Sequence, residues 1–218
     1  MIVTKTEACT KTKYKIYLDG TFAFVLYKGE MKRFGITEGA DLPEETVETI
    51  RTDVILKRAK LRAMHLLEDM DRTESALSEK LRQGMYPEEA VEGAIDYVKS
   101  FGYLNDARYA ENFVRSRKSS KSRREIRTLL SRKGIADEWI ENAFEICYGK
   151  EDEQEAVLRI LKKKKVDPRT ADEAQMQKIY GFLARKGFRF DTVRQVIQNY
   201  NENALHCCEN SIKFKCCI

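Results

Sequence analysis

The sequence lacks several features on which membrane proteins and fibrous proteins depend. Its 218 residues contain no apolar run of about 18 residues, so a helical membrane span is excluded. Only 3 prolines and 11 glycines are present, which argues against a disordered or collagen-like chain. The first residues, from Met1 to Lys5, form no apolar leader. We therefore expect a cytoplasmic protein that does not associate with membranes.

Candidate catalytic and metal-binding groups are also scarce. There are 2 histidines, and His65 lies inside a helical pattern beside two leucines. No phosphate-binding glycine loop, nucleophile elbow or His-Glu-x-x-His motif is present. Four of the 6 cysteines fall between Cys207 and Cys217, as adjacent pairs that lack the usual zinc-knuckle spacing. We expect no enzyme, no catalytic residue, no cofactor and no metal site, with zinc held by His206 and these cysteines as the alternative.

The residues that are abundant point to helices, after a short β-rich start. Charged residues make up 34% of the chain, and apolar residues make up 42%. Asp19-Gly20 separates two β-rich runs, which predicts a hairpin with a two-residue turn, and Ile2-Val3 could add a third strand. From Pro43 onward the pattern is helical, and spacings of three to four residues predict one long helix over residues 43–70, with Leu61 on its apolar face.

Three apolar quartets indicate an internal repeat. Each quartet has successive spacings of 4, 10 and 4 residues, with a glycine between its second and third members. This spacing is typical of two packed helices joined by a glycine-marked turn, and a further helix precedes each pair. The quartets are Leu77, Leu81, Val91, Ile95; then Ile126, Leu130, Ile140, Phe144; then Ile179, Leu183, Val193, Ile197.

We therefore predict a mostly α-helical protein, with three tandem three-helix modules in an elongated array after a small N-terminal β-hairpin element. The predicted divisions are the hairpin element at 1–42, the long helix with the first module at 43–104, the second module at 105–149, the third module at 150–203, and a disordered Cys-rich tail at 204–218.

Basic residues are concentrated in the second and third modules. Between Arg115 and Lys133 there are nine cations and one acid, Glu125, so this stretch has a local charge of +8, whereas the whole chain carries +5. Several of these cations stand at the start of a helix, where positive charge opposes the helix dipole. Contact with a polyanion would offset that cost.

Further basic runs lie in the third module, where Arg159 precedes four consecutive lysines and Arg189 follows the glycine turn. A solvated surface, with lysines near helix C-termini, is the alternative and suits these lysines well. The candidate residues for contact with nucleic acid or a nucleoprotein filament are Arg115, Arg117, Lys118, Lys121, Arg123, Arg124, Arg127, Arg132, Lys133, Lys162, Lys163, Lys164, Lys165, Arg185 and Lys186.

Sequence-specific reading of DNA by a helix-turn-helix is disfavoured. In that motif the helix after the turn enters the major groove. Here the helices after the turns begin with acids, such as Glu88 and Glu89 in the first module and Asp137 and Glu138 in the second. These carboxylates would repel phosphates, so we favour backbone contact through the preceding helix and loop.

Several segments together resemble the RecX family of recombinase regulators. The resemblance covers residues 1 to about 203 and leaves out the Cys-rich tail. Ala76 departs from the family, which often has a glutamate at this position. The segments that carry the resemblance are Tyr17–Gly20, Arg72–Leu81, Phe101–Ala110, Phe113–Arg117 and Lys133–Ile135.

The resemblance implies a non-enzymatic regulator of the RecA recombinase, and we expect the protein to be a monomer. Such a protein would bind the groove of the RecA nucleoprotein filament and restrain ATP hydrolysis, strand exchange and the co-protease activity of the SOS response. Single- and double-stranded DNA, bound without sequence preference, are the other expected partners. A DNA- or RNA-binding helical adaptor, or a transcriptional regulator unrelated to RecA, is the alternative.

Overall fold

A computed structural model of the chain describes residues 1–200. The predictions for the Cys-rich tail and for His206 therefore lie outside the described residues. The elements are β1 Val3–Ala8, β2 Lys13–Leu18, β3 Thr21–Tyr27, α1 Lys28–Arg33, α2 Glu44–Thr49, a π-helical segment Ile50–Leu56, α3 Lys57–Asp69, α4 Glu74–Gln83, α5 Glu88–Ser100, α6 Asp106–Arg117, α7 Arg123–Arg132, α8 Asp137–Cys147, α9 Lys150–Lys164, α10 Glu173–Arg185 and α11 at 190–200.

The N-terminal strands form an antiparallel sheet in the order β1-β2-β3. Asp19 and Gly20 have φ angles of 48° and 82°, as a type I′ turn between β2 and β3 requires. Val3, in β1, is fully buried. The structure confirms both the predicted hairpin and the third strand.

The predicted long helix is present as α2, the π-helical segment and α3 in succession. A π-helical turn carries one more residue than an α-helical turn, so Ile50 and Ile55 are both buried at a spacing of five. The apolar face then continues through Ala59 and Ala63. Leu61 is 59% exposed, so its predicted place on that face is wrong.

The predicted repeat is confirmed by burial, since all twelve residues of the three quartets are buried. The paired helices of the modules are α4 with α5, α7 with α8, and α10 with α11. Gly134 and Gly187 take the left-handed conformation after α7 and α10. After α4 this conformation belongs to Met85, at φ 60°, whereas the preceding Gly84 has φ −74°.

The chain divides into two compact units, an N-terminal unit from Met1 to Asp106 and a C-terminal unit that starts at Ala107. In the N-terminal unit the sheet and the first module share one hydrophobic core. In the C-terminal unit the second and third modules each have a core of their own. The module boundaries given above stay predictions. Within residues 1–200 no helix is both long and apolar enough to span a membrane.

Candidate nucleic-acid interface

The start of α7 is tied to the end of α10 by one buried serine. The Ser122 hydroxyl accepts a hydrogen bond from the Glu125 backbone N–H at 3.1 Å, which caps α7. The same hydroxyl donates to the carbonyl oxygen of Lys186 at 2.6 Å. The Ser122 hydroxyl therefore caps α7 and also joins the second and third modules inside the C-terminal unit.

The carboxylate of Glu125 lies between two lysines from different modules. Its Oε1 atom is 2.5 Å from Lys121 Nζ and 3.5 Å from Lys186 Nζ. Partial burial raises the pKa of Glu125, but the hydrogen bond and charge of Lys121, together with Lys186, outweigh burial and hold the pKa below its ordinary value. This acid, which the sequence pattern places inside the basic stretch, therefore holds two cations in position.

On one side of this contact lies a depression of about 710 Å³, which we call the lysine cavity. Ser120, Ile160 and Phe182 contribute to its wall, and Glu125 is the one carboxylate among its lining residues. Its cationic lining residues are Lys121, Arg159, Lys163, Lys164 and Lys186.

A second depression of about 490 Å³, which we call the arginine cavity, lies nearby. Gly187 is part of its lining, and its backbone is so close to Arg124 that a Cβ atom placed there would lie 2.9 Å from Arg124 Cβ. Glu153 is the one carboxylate among the lining residues. The cationic lining residues are Arg123, Arg124, Arg127, Lys150 and Arg189.

The structure also shows how several cations of the basic stretch are neutralised. Glu141 of α8 lies 2.8 Å from both Arg123 and Arg127, and Asp152 of α9 lies 3.0 Å from Lys118. Arg115 pairs with Glu111 of its own helix at 2.9 Å. The local charge of +8 counted along the sequence therefore overstates the surface charge, because most of these acids come from other elements.

The predicted site residues are brought together only in part. Those that line the lysine cavity are Lys121, Lys163, Lys164 and Lys186, and those that line the arginine cavity are Arg123, Arg124 and Arg127. The predicted residues that line neither of these two cavities are Arg115, Arg117, Lys118, Arg132, Lys133, Lys162, Lys165 and Arg185.

The basic pattern of the sequence does not identify Lys150, Ile160 or Phe182 as lining residues. Lys150 opens α9 beside acids that mask it in the sequence, while Ile160 and Phe182 read as ordinary core positions. Lys164 Nζ lies 4.1 Å from the centre of the Phe182 ring. This contact joins α9 to α10, so no pattern within either helix predicts it. Arg159 and Arg189 accompany the basic runs in the sequence, and both line a cavity.

Tyr148 lines the arginine cavity and donates a hydrogen bond to the backbone. Burial is the largest cause of the pKa shift of Tyr148, and it raises the pKa of the phenol far above its ordinary value. This hydroxyl instead lies 3.5 Å from the Lys121 carbonyl oxygen, to which it donates. Among residues 1–200 no group of three or more His, Cys, Asp or Glu residues could hold a metal ion.

Comparison with protein families accounts for all three helical modules. The first, second and third three-helix domains of RecX match residues 59–97, 105–143 and 151–197 respectively. The chain belongs to the RecX family. In this RecX-family chain both cavities are lined by residues of the second and third of these domains, and Tyr148, Gly149 and Lys150 from the segment between them also line the arginine cavity.

Individual relatives agree with this assignment. The chain is 31% identical to the regulatory protein RecX of Caldanaerobacter subterraneus subsp. tengcongensis, over 90% of this chain and 98% of that protein. It is 29% identical to the regulatory protein RecX of Clostridioides difficile, over 92% of this chain and 98% of that protein.

Solved RecX structures share the fold. A crystal structure of regulatory protein RecX is 27% identical to the chain and superposes with a TM-score of 0.57, covering 89% of this chain and 98% of that one. RecX from Lactobacillus salivarius has the same TM-score of 0.57 at 24% identity, covering 67% of this chain and 96% of that one.

Proposed function

We propose that this chain is a non-enzymatic regulator of RecA, and mainly an inhibitor. It binds the RecA–DNA filament in its groove and restrains ATP hydrolysis, strand exchange and co-protease activity. The observation that carries the proposal is the match of all three helical modules to RecX domains, in a family whose members are named regulatory proteins. We further propose that the protein acts as a monomer in the cytoplasm, without a cofactor.

The two basic cavities are the proposed contact with the polyanionic part of the filament. Each cavity is lined by five cations and one carboxylate, and the positive excess that remains after Glu141 pairs with Arg123 and Arg127 favours phosphate binding without sequence preference. Arg124 and Lys163 are the most informative members, since neither has an ion pair among the described residues. The other predicted cations, outside both cavities, would add only long-range attraction.

The experiment that tests the proposal measures RecA-driven ATP hydrolysis on single-stranded DNA, with and without stoichiometric amounts of this protein. We expect inhibition by the wild type. A variant that combines R124E, K163E and K164E removes cavity cations without breaking an ion pair seen in residues 1–200, and should inhibit at least about tenfold less, as the removal of several phosphate-binding cations implies.

A matched control carries three reversals of exposed lysines in the N-terminal unit: K28E, K32E and K80E. It has the same net charge as the cavity variant, so equal loss of inhibition in both would assign the effect to overall charge and contradict the proposed site. Sequence-selective retention of duplex DNA, with no effect on RecA, would contradict the proposed function itself and favour a DNA-binding adaptor.

A further inference from the structure

The lysine cavity combines five cations with an apolar wall that contains one aliphatic and one aromatic side chain. Ile160 and Phe182 are both partly buried against the core of the third module, and both face the cavity. The one lining carboxylate, Glu125, is already engaged by Lys121 and Lys186. At about 710 Å³ the cavity falls in the size range of small-molecule and nucleotide sites.

Phe182 is the feature that distinguishes base recognition from plain phosphate binding. Cationic grooves that also present aromatic rings bind single-stranded nucleic acid, because every base can stack on a ring. The ammonium group of Lys164 now lies over the Phe182 ring at 4.1 Å. Stacking of a base is worth more than a solvent-exposed cation–π contact, so a base can displace this ammonium group, which then becomes available to a phosphate.

The neighbouring arginine cavity indicates that the occupant is a strand rather than a free nucleotide. Lys186 lines the lysine cavity, and the next residue, Gly187, lines the arginine cavity. Lys121 and Arg123 are divided in the same way on either side of Ser122. The ten cations of the two cavities therefore lie on either side of the Ser122–Lys186 contact. A chain of phosphates can bind along both cavities, whereas a single nucleotide would leave one of them empty.

We propose that the lysine cavity binds single-stranded DNA, with one unstacked base on Phe182 and adjacent phosphates on Lys121, Lys163 and Lys186. Duplex DNA would use the same cations but could not offer a base, because its bases are stacked inside the helix. The choice of DNA as the polymer rests on the proposed function, whereas base stacking on Phe182 rests on the cavity alone.

The test measures binding of the full-length protein to an oligodeoxythymidylate and to an abasic oligomer of the same length, over one series of salt concentrations for both. The wild type should bind the abasic oligomer about tenfold more weakly, the effect expected for the loss of one stacked base. F182L keeps an apolar side chain against the core but removes the ring, so it should bind both oligomers equally. Its salt dependence should match that of the wild type, because every phosphate-binding cation is retained.

Phe190 supplies a matched control in the same module. It is 64% exposed, lies beside Tyr180 at a ring distance of 5.7 Å, and does not line the lysine cavity. F190L should therefore keep the wild-type preference for the oligomer that has bases. An equal loss of preference in F182L and F190L would overturn the assignment to Phe182.

Two further outcomes would overturn the proposal. One is equal affinity of the wild type for the two oligomers, a result that requires no variant and so does not depend on folding of F182L. The other is displacement of the oligomer by equimolar ATP or ADP, which would make the cavity a free-nucleotide site. RecA ATPase inhibition is measured in parallel, so that loss of inhibition refutes the proposed function while the abasic comparison separately decides the stacking site.

Discussion

Ser122 and Lys186 are 64 positions apart, and the Ser122 hydroxyl donates to the Lys186 carbonyl oxygen at 2.6 Å. The Ser122 hydroxyl oxygen also caps α7 by accepting from the Glu125 N–H group. One fully buried hydroxyl thus fixes the first turn of α7 and the turn after α10. Because these two turns carry cations of both cavities, the Ser122–Lys186 contact sets the distance between the two groups of cations.

Removal of this hydroxyl should destabilise the C-terminal unit. S122A loses the helix cap and leaves the partly buried Lys186 carbonyl group without its donor, so we expect a loss of about 2 kcal/mol in the free energy of unfolding. Urea denaturation measures the change. S131A is the matched control, since the Ser131 hydroxyl donates to the Arg127 carbonyl within one exposed helical turn. Its effect should stay below about 0.5 kcal/mol, and comparable losses in both variants would contradict a special role for Ser122.

Two glycines of the third module should respond to alanine in opposite directions. Gly187 has φ 84°, and an added Cβ atom would lie 2.9 Å from Arg124 Cβ, so G187A should destabilise the protein by about 2 kcal/mol. Gly181 lies inside α10, where the nearest atom to an added Cβ is Arg185 Nη1 at 3.5 Å. G181A should therefore stabilise the protein by about 0.5–1 kcal/mol. Thermal unfolding of both variants checks the prediction, which fails if the two shifts have the same sign.

DNA binding through these cavities should depend steeply on salt. If about five phosphates are neutralised, the logarithm of the association constant for single-stranded DNA falls with the logarithm of salt concentration at a slope near −3.5, or about −0.7 for each phosphate. The double variant K163E/K164E should lower the magnitude of this slope by about 0.7 for each phosphate that it no longer neutralises, whereas K80E, in the N-terminal unit, should leave it unchanged. A flat salt response of the wild type would rule out direct DNA binding.

Glu125 should make part of the stability pH-dependent. Its folded-state pKa lies below the ordinary value of 4.5, because Lys121 and Lys186 outweigh the opposing effect of burial. The stabilisation is therefore complete above pH 4.5 and is lost as the pH falls below that value towards the folded-state pKa. Urea denaturation of wild type and E125Q should show a difference at pH 7 that shrinks as the pH falls through this window. A difference that is constant with pH would show that the Glu125 charge has no role.

The apolar spacing was sufficient to predict the helical modules, but it did not predict every buried residue of the long helix. Repeated spacings of 4, 10 and 4 residues locate buried faces, since a helix places residues three and four apart on one side. The π-helical segment changes that register within the long helix, so Ile55 is buried and Leu61 is exposed. The apolar spacing along the sequence does not indicate this change of helical register. Met85 likewise takes the left-handed position in the first module although Gly84 stands next to it.

The candidate site was predictable only as a set of cations. Charge counted along the chain identifies Arg123 and Arg127 as basic, but Glu141, which pairs with both, belongs to the following helix. The contact between Phe182 and Lys164 likewise forms only when α9 and α10 pack together.

The sequence by itself determined the β-hairpin, the helices, the triplicated modules and the family, because hydrophobic period, turn chemistry and short motifs are local properties of the chain. Only the tertiary structure decided which acids pair with Lys118, Arg123, Arg127 and Lys186, and that two basic cavities flank the Ser122–Lys186 contact. Electrostatic interaction depends on distance in space, and α7, α9 and α10 come close to one another only after their apolar faces have packed.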